Sequence, residues 1–148
     1  ILMKKSIKKK FDIIFLTWTL SATSEPLKIL EKISKIVKKN GHVVIAESSR
    51  ILVPPTYTLE YYFQVGQKVN TLLNYPWRFS FNSLRNLLLL FNFKTVAFND
   101  YAHNDNLVII AKKISFGFKD YKFDTYKNIH LFFKKWIEYS KMFKKLKS

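Results

Sequence analysis

Apolar residues alternate between two periods along this chain, and the changes of period mark its elements. FDIIFL, residues 11 to 16, is an almost unbroken apolar run, the pattern of a strand buried on both faces. Thr23, Ser24, Glu25 and Pro26 follow as a cap, an early negative charge and a fixed first-turn φ, so a helix is predicted next. Leu27, Leu30, Ile33, Ile36 and Val37 recur on one face of it, while Lys28, Glu31, Lys32, Lys35, Lys38 and Lys39 take the other. Asn40 and Gly41 stop it, with Gly41 suited to the left-handed C-terminal position. HVVIAE, residues 42 to 47, reads as a second buried strand. A strand, helix and strand of this length imply a right-handed parallel crossover and hence an α/β fold.

Residues 48 to 79 form a long aromatic insertion with one short helical stretch, LEYYFQVGQKVNTLL; insertions of this length in compact domains are usually functional. Ser80 or Asn82 then caps a helix to about Phe91, with Leu84, Leu87, Leu88 and Phe91 inward. FKTVAFN, residues 93 to 99, and NLVIIAKK, residues 106 to 113, are joined by the turn-rich YAHND and are expected to pair as an antiparallel hairpin. Residues 115 to 121 form a connector. An amphipathic helix is predicted from about Tyr126 to Leu146, with Ile129, Phe132, Phe133, Trp136, Ile137 and Phe143 against Lys134, Lys135, Lys141, Lys144 and Lys145. The chain divides into a basic lead-in (1–10), an α/β unit (11–113) and a connector with basic helix (114–148).

Composition narrows the partners. The 148 residues are 48% hydrophobic, enough for one domain with its own core. The formal charge is +16, yet apart from Arg50, Arg78 and Arg85 the 26 basic residues are all Lys. Sequence-specific nucleic-acid sites lean on Arg for bidentate contacts, so this excess fits genome composition better than nucleic-acid recognition. Cys is absent and His42, His103 and His130 stand singly, which leaves no metal site. A lone His103 in a hairpin turn reads as exposed rather than as a base. The run from Phe11 to Leu20 is too short to span a bilayer, and no leader cleavage pattern follows the basic start, so a cytoplasmic protein is expected. The chain starts with Ile1 rather than Met, either as a cut product or with Met3 as its start.

The order of elements resembles the C-terminal half of class I S-adenosylmethionine-dependent methyltransferases, a partial Rossmann-like sheet of parallel strands closed by an antiparallel hairpin. Phe11, Asp12 and Ile13 to Leu16, the loop Thr17 to Ser24, Glu25, Pro26, Leu27, Gly41 and His42 to Glu47 match the family's fourth strand, loop, helix and fifth strand without a gap. WRFSFNSLRNLLLLFNFKTV is similar to its next helix and sixth strand, and NDNLVIIAKK to its seventh. SSRILVP and YPWRFS resemble enzymes that methylate sugars of surface polysaccharides. The chain departs from the family at Ser21 and Ala22, where many relatives carry Glu-His. It also lacks a Gly-rich turn and an acidic strand end upstream, so the resemblance implies a C-terminal half without an intact cofactor site, inactive alone.

What the resemblance implies for chemistry follows residue by residue. S-adenosylmethionine would be bordered by Thr17, Trp18 and Thr19, with Trp18 stacking or else part of the core. Glu47 at the end of the fifth strand is the candidate to orient or deprotonate an acceptor hydroxyl, against a solvated loop carboxylate. Ser48, Ser49, Arg50, Tyr57, Tyr61, Tyr62, Trp77 and Arg78 are candidates for an acceptor pocket, since aromatic faces and Arg suit sugars and phosphorylated carriers; packing of the insertion is the alternative. The leading expectation is part of a methyltransferase acting on a sugar or small-molecule hydroxyl. The other is a basic nucleic-acid- or membrane-binding α/β module without catalysis. Strand 11–16 needs a neighbour on each side, from a missing N-terminal half or another chain. The C-terminal helix either packs on protein or meets an anionic membrane peripherally.

Overall fold

A computed structural model describes residues 9–47, 76–99, 106–115 and 120–147. Its elements are β1 (Phe11–Thr17), α1 (Pro26–Ile36), β2 (Val37–Glu47), α2 (Phe81–Leu90), β3 (Phe93–Phe98), β4 (Leu107–Lys113) and α3 (Tyr126–Lys147). The strands form one sheet in the order β1-β2-β4-β3, with β1 and β2 parallel and the other two pairs antiparallel. The α/β fold, the crossover through α1 and the β3–β4 hairpin are therefore those predicted from periodicity. The short helix expected in the insertion lies outside the described residues.

Helix starts follow local chemistry. Pro26 opens α1, and Thr23 Oγ1 accepts from the backbone N–H of Glu25 at 3.1 Å. Glu25 takes the N-cap position without capping through its side chain and pairs instead with Lys28. In α2 the cap is Ser80, not Asn82: its Oγ accepts from Ser83 N at 3.0 Å and Ser83 Oγ accepts from Ser80 N at 2.9 Å, a reciprocal box.

Two expectations about α1's end are corrected. The helix ends at Ile36, and Val37 already has extended backbone, pairing with Phe11. The next registered pair is Ile13 with His42, so residues 38 to 41 are looped out of the ladder. The left-handed position is Asn40, with φ 63°, rather than Gly41. Gly41 is required for closeness: a Cβ there would lie 2.8 Å from the Asp12 carbonyl oxygen and 2.9 Å from Val37 Cγ1.

One face of the sheet carries the core. Leu30 and Ile33 of α1 and Leu84 and Leu88 of α2 pack with Val43, Ile45, Phe93, Leu107, Ile109 and Ala111. A bulge between Thr95 and Ala97 brings Phe98 into register with Ile109, where it stacks on Phe81 at 4.0 Å between centroids. The opposite face is only half-buried at Val44, Ala46, Val108 and Ile110. On β1 it is open: Ile13 is 52% and Phe15 68% exposed. The expectation of β1 buried on both faces is thus not met. Among the described residues β1 pairs with β2 alone, and only Leu16 and, in part, Ile14 reach the core.

Beyond β4 the chain returns along α2. Arg85 pairs with Asp120 at 2.6 Å, Asn86 exchanges two hydrogen bonds with the Lys122 backbone, and Asp124 accepts from Ser80 and from Asn82, the latter at 2.8 Å. These bonds fix where α3 begins.

Candidate functional site

Because β1 and β2 run parallel, they deliver their C-terminal ends to one edge of the sheet, the edge at which open α/β sheets bind ligands. Thr17 pairs with Ala46 there, and Trp18 N donates to the Ala46 carbonyl at 2.8 Å. Trp18 then turns the chain with φ 49°, a left-handed conformation uncommon for a bulky residue and sustained only where its surroundings enforce it.

The enforcing group is Glu47. Its Oε1 accepts from Thr19 N at 3.1 Å and Leu20 N at 2.8 Å, and its Oε2 accepts from Ser21 N at 3.1 Å and Ser21 Oγ at 2.5 Å. Glu47 and Ser21 are each 1% exposed. A buried carboxylate needs such donors, and successive backbone N–H groups in a turn form a concave anion nest. Glu47 is therefore neither the solvated carboxylate nor a group open to an incoming hydroxyl: both oxygens hold the loop after β1. Ser21, a departure from the family pattern in sequence, is its partner.

The loop brings Thr17, Trp18 and Thr19 together at the surface. Trp18 is 60% exposed, which removes the core alternative for it. Thr19 Oγ1 donates to the Thr17 carbonyl at 2.9 Å. On the other side of the loop the Ser21 carbonyl accepts from Trp77 N at 3.4 Å, so residues 77 to 79 are tied to the same edge. Between that segment, the start of α1 and α2 lies a cavity of about 530 Å³, walled by Pro26, Leu27, Trp77, Arg78, Phe79 and Leu87. Its size suits a small molecule and its lining is largely apolar. Leu27, expected in the core, is half exposed at this cavity.

Among the predicted acceptor residues the structure thus places Trp77 and Arg78 beside the loop. Ser48, Ser49, Arg50, Tyr57, Tyr61, Tyr62 and His103 lie outside the described residues. Leu27 and Leu87 were legible only as helix residues, since nothing in a helical period separates a cavity wall from a core face. Away from the loop, hydrogen bonds from Lys38 and Lys35 hold Asp12 and Glu31 below the ordinary carboxylate range, and burial lowers the Lys113 pKa. Among the described residues no cluster of His, Asp and Glu could hold a metal ion.

The sequence matches no protein-family model and no curated protein. Solved structures do match. Human N-acetylserotonin methyltransferase in complex with S-adenosylmethionine aligns with a TM-score of 0.56 and 19% identity, over 76% of this chain and 32% of that one. A possible histamine N-methyltransferase from Thermotoga maritima aligns at 0.51 and 18%, over 72% and 59%. An S-adenosylmethionine-dependent methyltransferase from Methanosarcina mazei gives 0.51 and 15%, over 74% and 63%. The chain spans between a third and two thirds of these structures. At such identities the likeness is one of fold: the four-stranded unit described here has the architecture of part of an S-adenosylmethionine-dependent methyltransferase.

Proposed function

We propose that this chain is the C-terminal part of an S-adenosylmethionine-dependent methyltransferase acting on a sugar or small-molecule hydroxyl. The observation that carries the reading is the loop Thr17 to Ser21, fixed by Glu47 at the C-terminal edge of a sheet with methyltransferase architecture. Methyl transfer from a sulfonium is an in-line displacement, so most of the catalytic work is alignment of acceptor and methyl group in a near-attack geometry. A preformed loop suits that demand because ordering it adds no cost when ligands bind. When bound, the cofactor supplies the electrophilic methyl group.

The residues present fit one wall of such a site. Thr17, Trp18 and Thr19 would border the cofactor, with the exposed Trp18 ring offering a stacking face. Trp77 and Arg78 would face the acceptor, joined by Ser48, Ser49, Arg50, Tyr57, Tyr61 and Tyr62. Glu47 positions the loop. The described residues contain no Gly-rich turn, and among them β1 pairs with β2 alone and leaves Ile13 and Phe15 exposed; the remaining wall would come from a segment or chain that also pairs with β1 and covers them.

Calorimetric titration with S-adenosylmethionine tests the reading on this chain and on the full product of its gene. The full product should bind and the chain alone should bind weakly or not at all. A full product that fails to bind overturns the proposal.

A further inference from the structure

Helix α3 presents an amphipathic surface that the sheet does not use. Phe132 and Trp136 lie on one side of it, with Trp136 only 6% exposed and its ring 5.4 Å from that of Phe132. The adjoining row is open to solvent: Tyr126 is 82%, Ile129 37%, Phe133 42% and Ile137 43% exposed. Positions 129, 133 and 137 are spaced four apart and make one continuous ridge. Lys134 and Lys141, both exposed, border that ridge on the helical wheel, and Lys127 and Lys145 follow in the next row. From Tyr126 to Lys147 the sequence holds seven Lys and one acid, Glu138.

Among the described residues no helix is long and apolar enough to cross a membrane, so a surface is the geometry to consider. An apolar ridge bordered by lysines along one side suits a helix lying in a bilayer interface: the ridge enters the acyl boundary while the ammonium groups stay at anionic headgroups. A polynucleotide would use the lysines but leave Ile129, Phe133 and Ile137 in water. A second copy of this chain, itself at +16, would bring like charge against like. The segment before α3 is also fixed to the domain, by the bonds of Asp120, Lys122 and Asp124 to α2, so the helix leaves the domain from a defined point.

From this we infer that α3 docks the protein on an anionic lipid bilayer through Ile129, Phe133 and Ile137, with Lys134 and Lys141 at the headgroups. The inference is independent of the methyltransferase reading.

Flotation of the full chain with phosphatidylcholine vesicles, and with vesicles also containing phosphatidylglycerol, tests it. Binding should require phosphatidylglycerol and weaken with salt. The triple variant Ile129→Ser, Phe133→Ser, Ile137→Ser should lose binding at least about tenfold, and Lys134→Gln with Lys141→Gln should lose about tenfold or more at low salt. Both sets are exposed side chains, and circular dichroism checks that α3 remains folded. Equal binding to both vesicle types, or undiminished binding of the serine variant, overturns the proposal. So does a lipid-free dimer that the serine variant abolishes, or tighter binding to single-stranded RNA that this variant retains.

Discussion

β1 and β2 lie side by side, run in the same direction and carry similarly apolar sequences, yet the chain treats them differently. In β2, Val43 and Ile45 are fully buried, and Glu47 continues the same face as a buried strut. In β1, Ile13 and Phe15 stand more than half exposed. β2 has strands on both sides and two helices over one face, whereas among the described residues β1 pairs with β2 alone. An apolar run therefore records what a strand is able to bury, while the number of neighbours decides how much it does bury.

Substitutions can break this contrast, beginning with the strut. Glu47→Ala leaves three backbone N–H groups and the Ser21 hydroxyl without their acceptor and is expected to cost about 4 kcal/mol. Urea unfolding gives the stability, and a change in near-ultraviolet circular dichroism at Trp18 reports the loosened loop. Ile45→Ala, in the core beside it, is expected to cost about 3 kcal/mol by the same measurement. Phe15→Ser, a larger side-chain change on the neighbouring strand, should stay within about 0.5 kcal/mol. It should also reduce self-association in sedimentation, since the exposed edge loses its apolar contact. A loss as large as that of Ile45→Ala would show that β1's outer face is covered in solution.

The smallest effect is expected at the foot of β1. Lys38 Nζ lies 2.8 Å from Asp12 Oδ2 and ties the looped-out turn to the edge strand. The hydrogen bond lowers the Asp12 pKa in the folded state, so any stabilisation is complete above the ordinary carboxylate range and is lost as pH falls through the lowered value. The pair is exposed, and Asp12→Asn should leave the unfolding midpoint unchanged at neutral pH and moderate salt.

How much was legible in sequence depends on the distance between partners. Pro26 and Ser80 mark helix starts because capping acts within three or four residues. The hairpin of β3 and β4 followed from a short polar link and two apolar runs. Glu47 was legible as the end of a strand but not as the anchor of Thr19, Leu20 and Ser21, which lie 26 to 28 positions away. The grip of Asn82, Arg85 and Asn86 on residues 120 to 124 was hidden for the same reason, as polar side chains on a helix face ordinarily read as solvated.

Sequence alone thus determined the order and kind of the elements, because helical and strand periods, caps and turn residues act locally. The tertiary structure decided which face of β1 stays open, why Gly41 has no room for a side chain, and that Glu47 turns inward to hold Thr19, Leu20 and Ser21, the loop that follows Trp18. Each of these depends on what another part of the chain places within a few ångströms, and no local pattern encodes that neighbour.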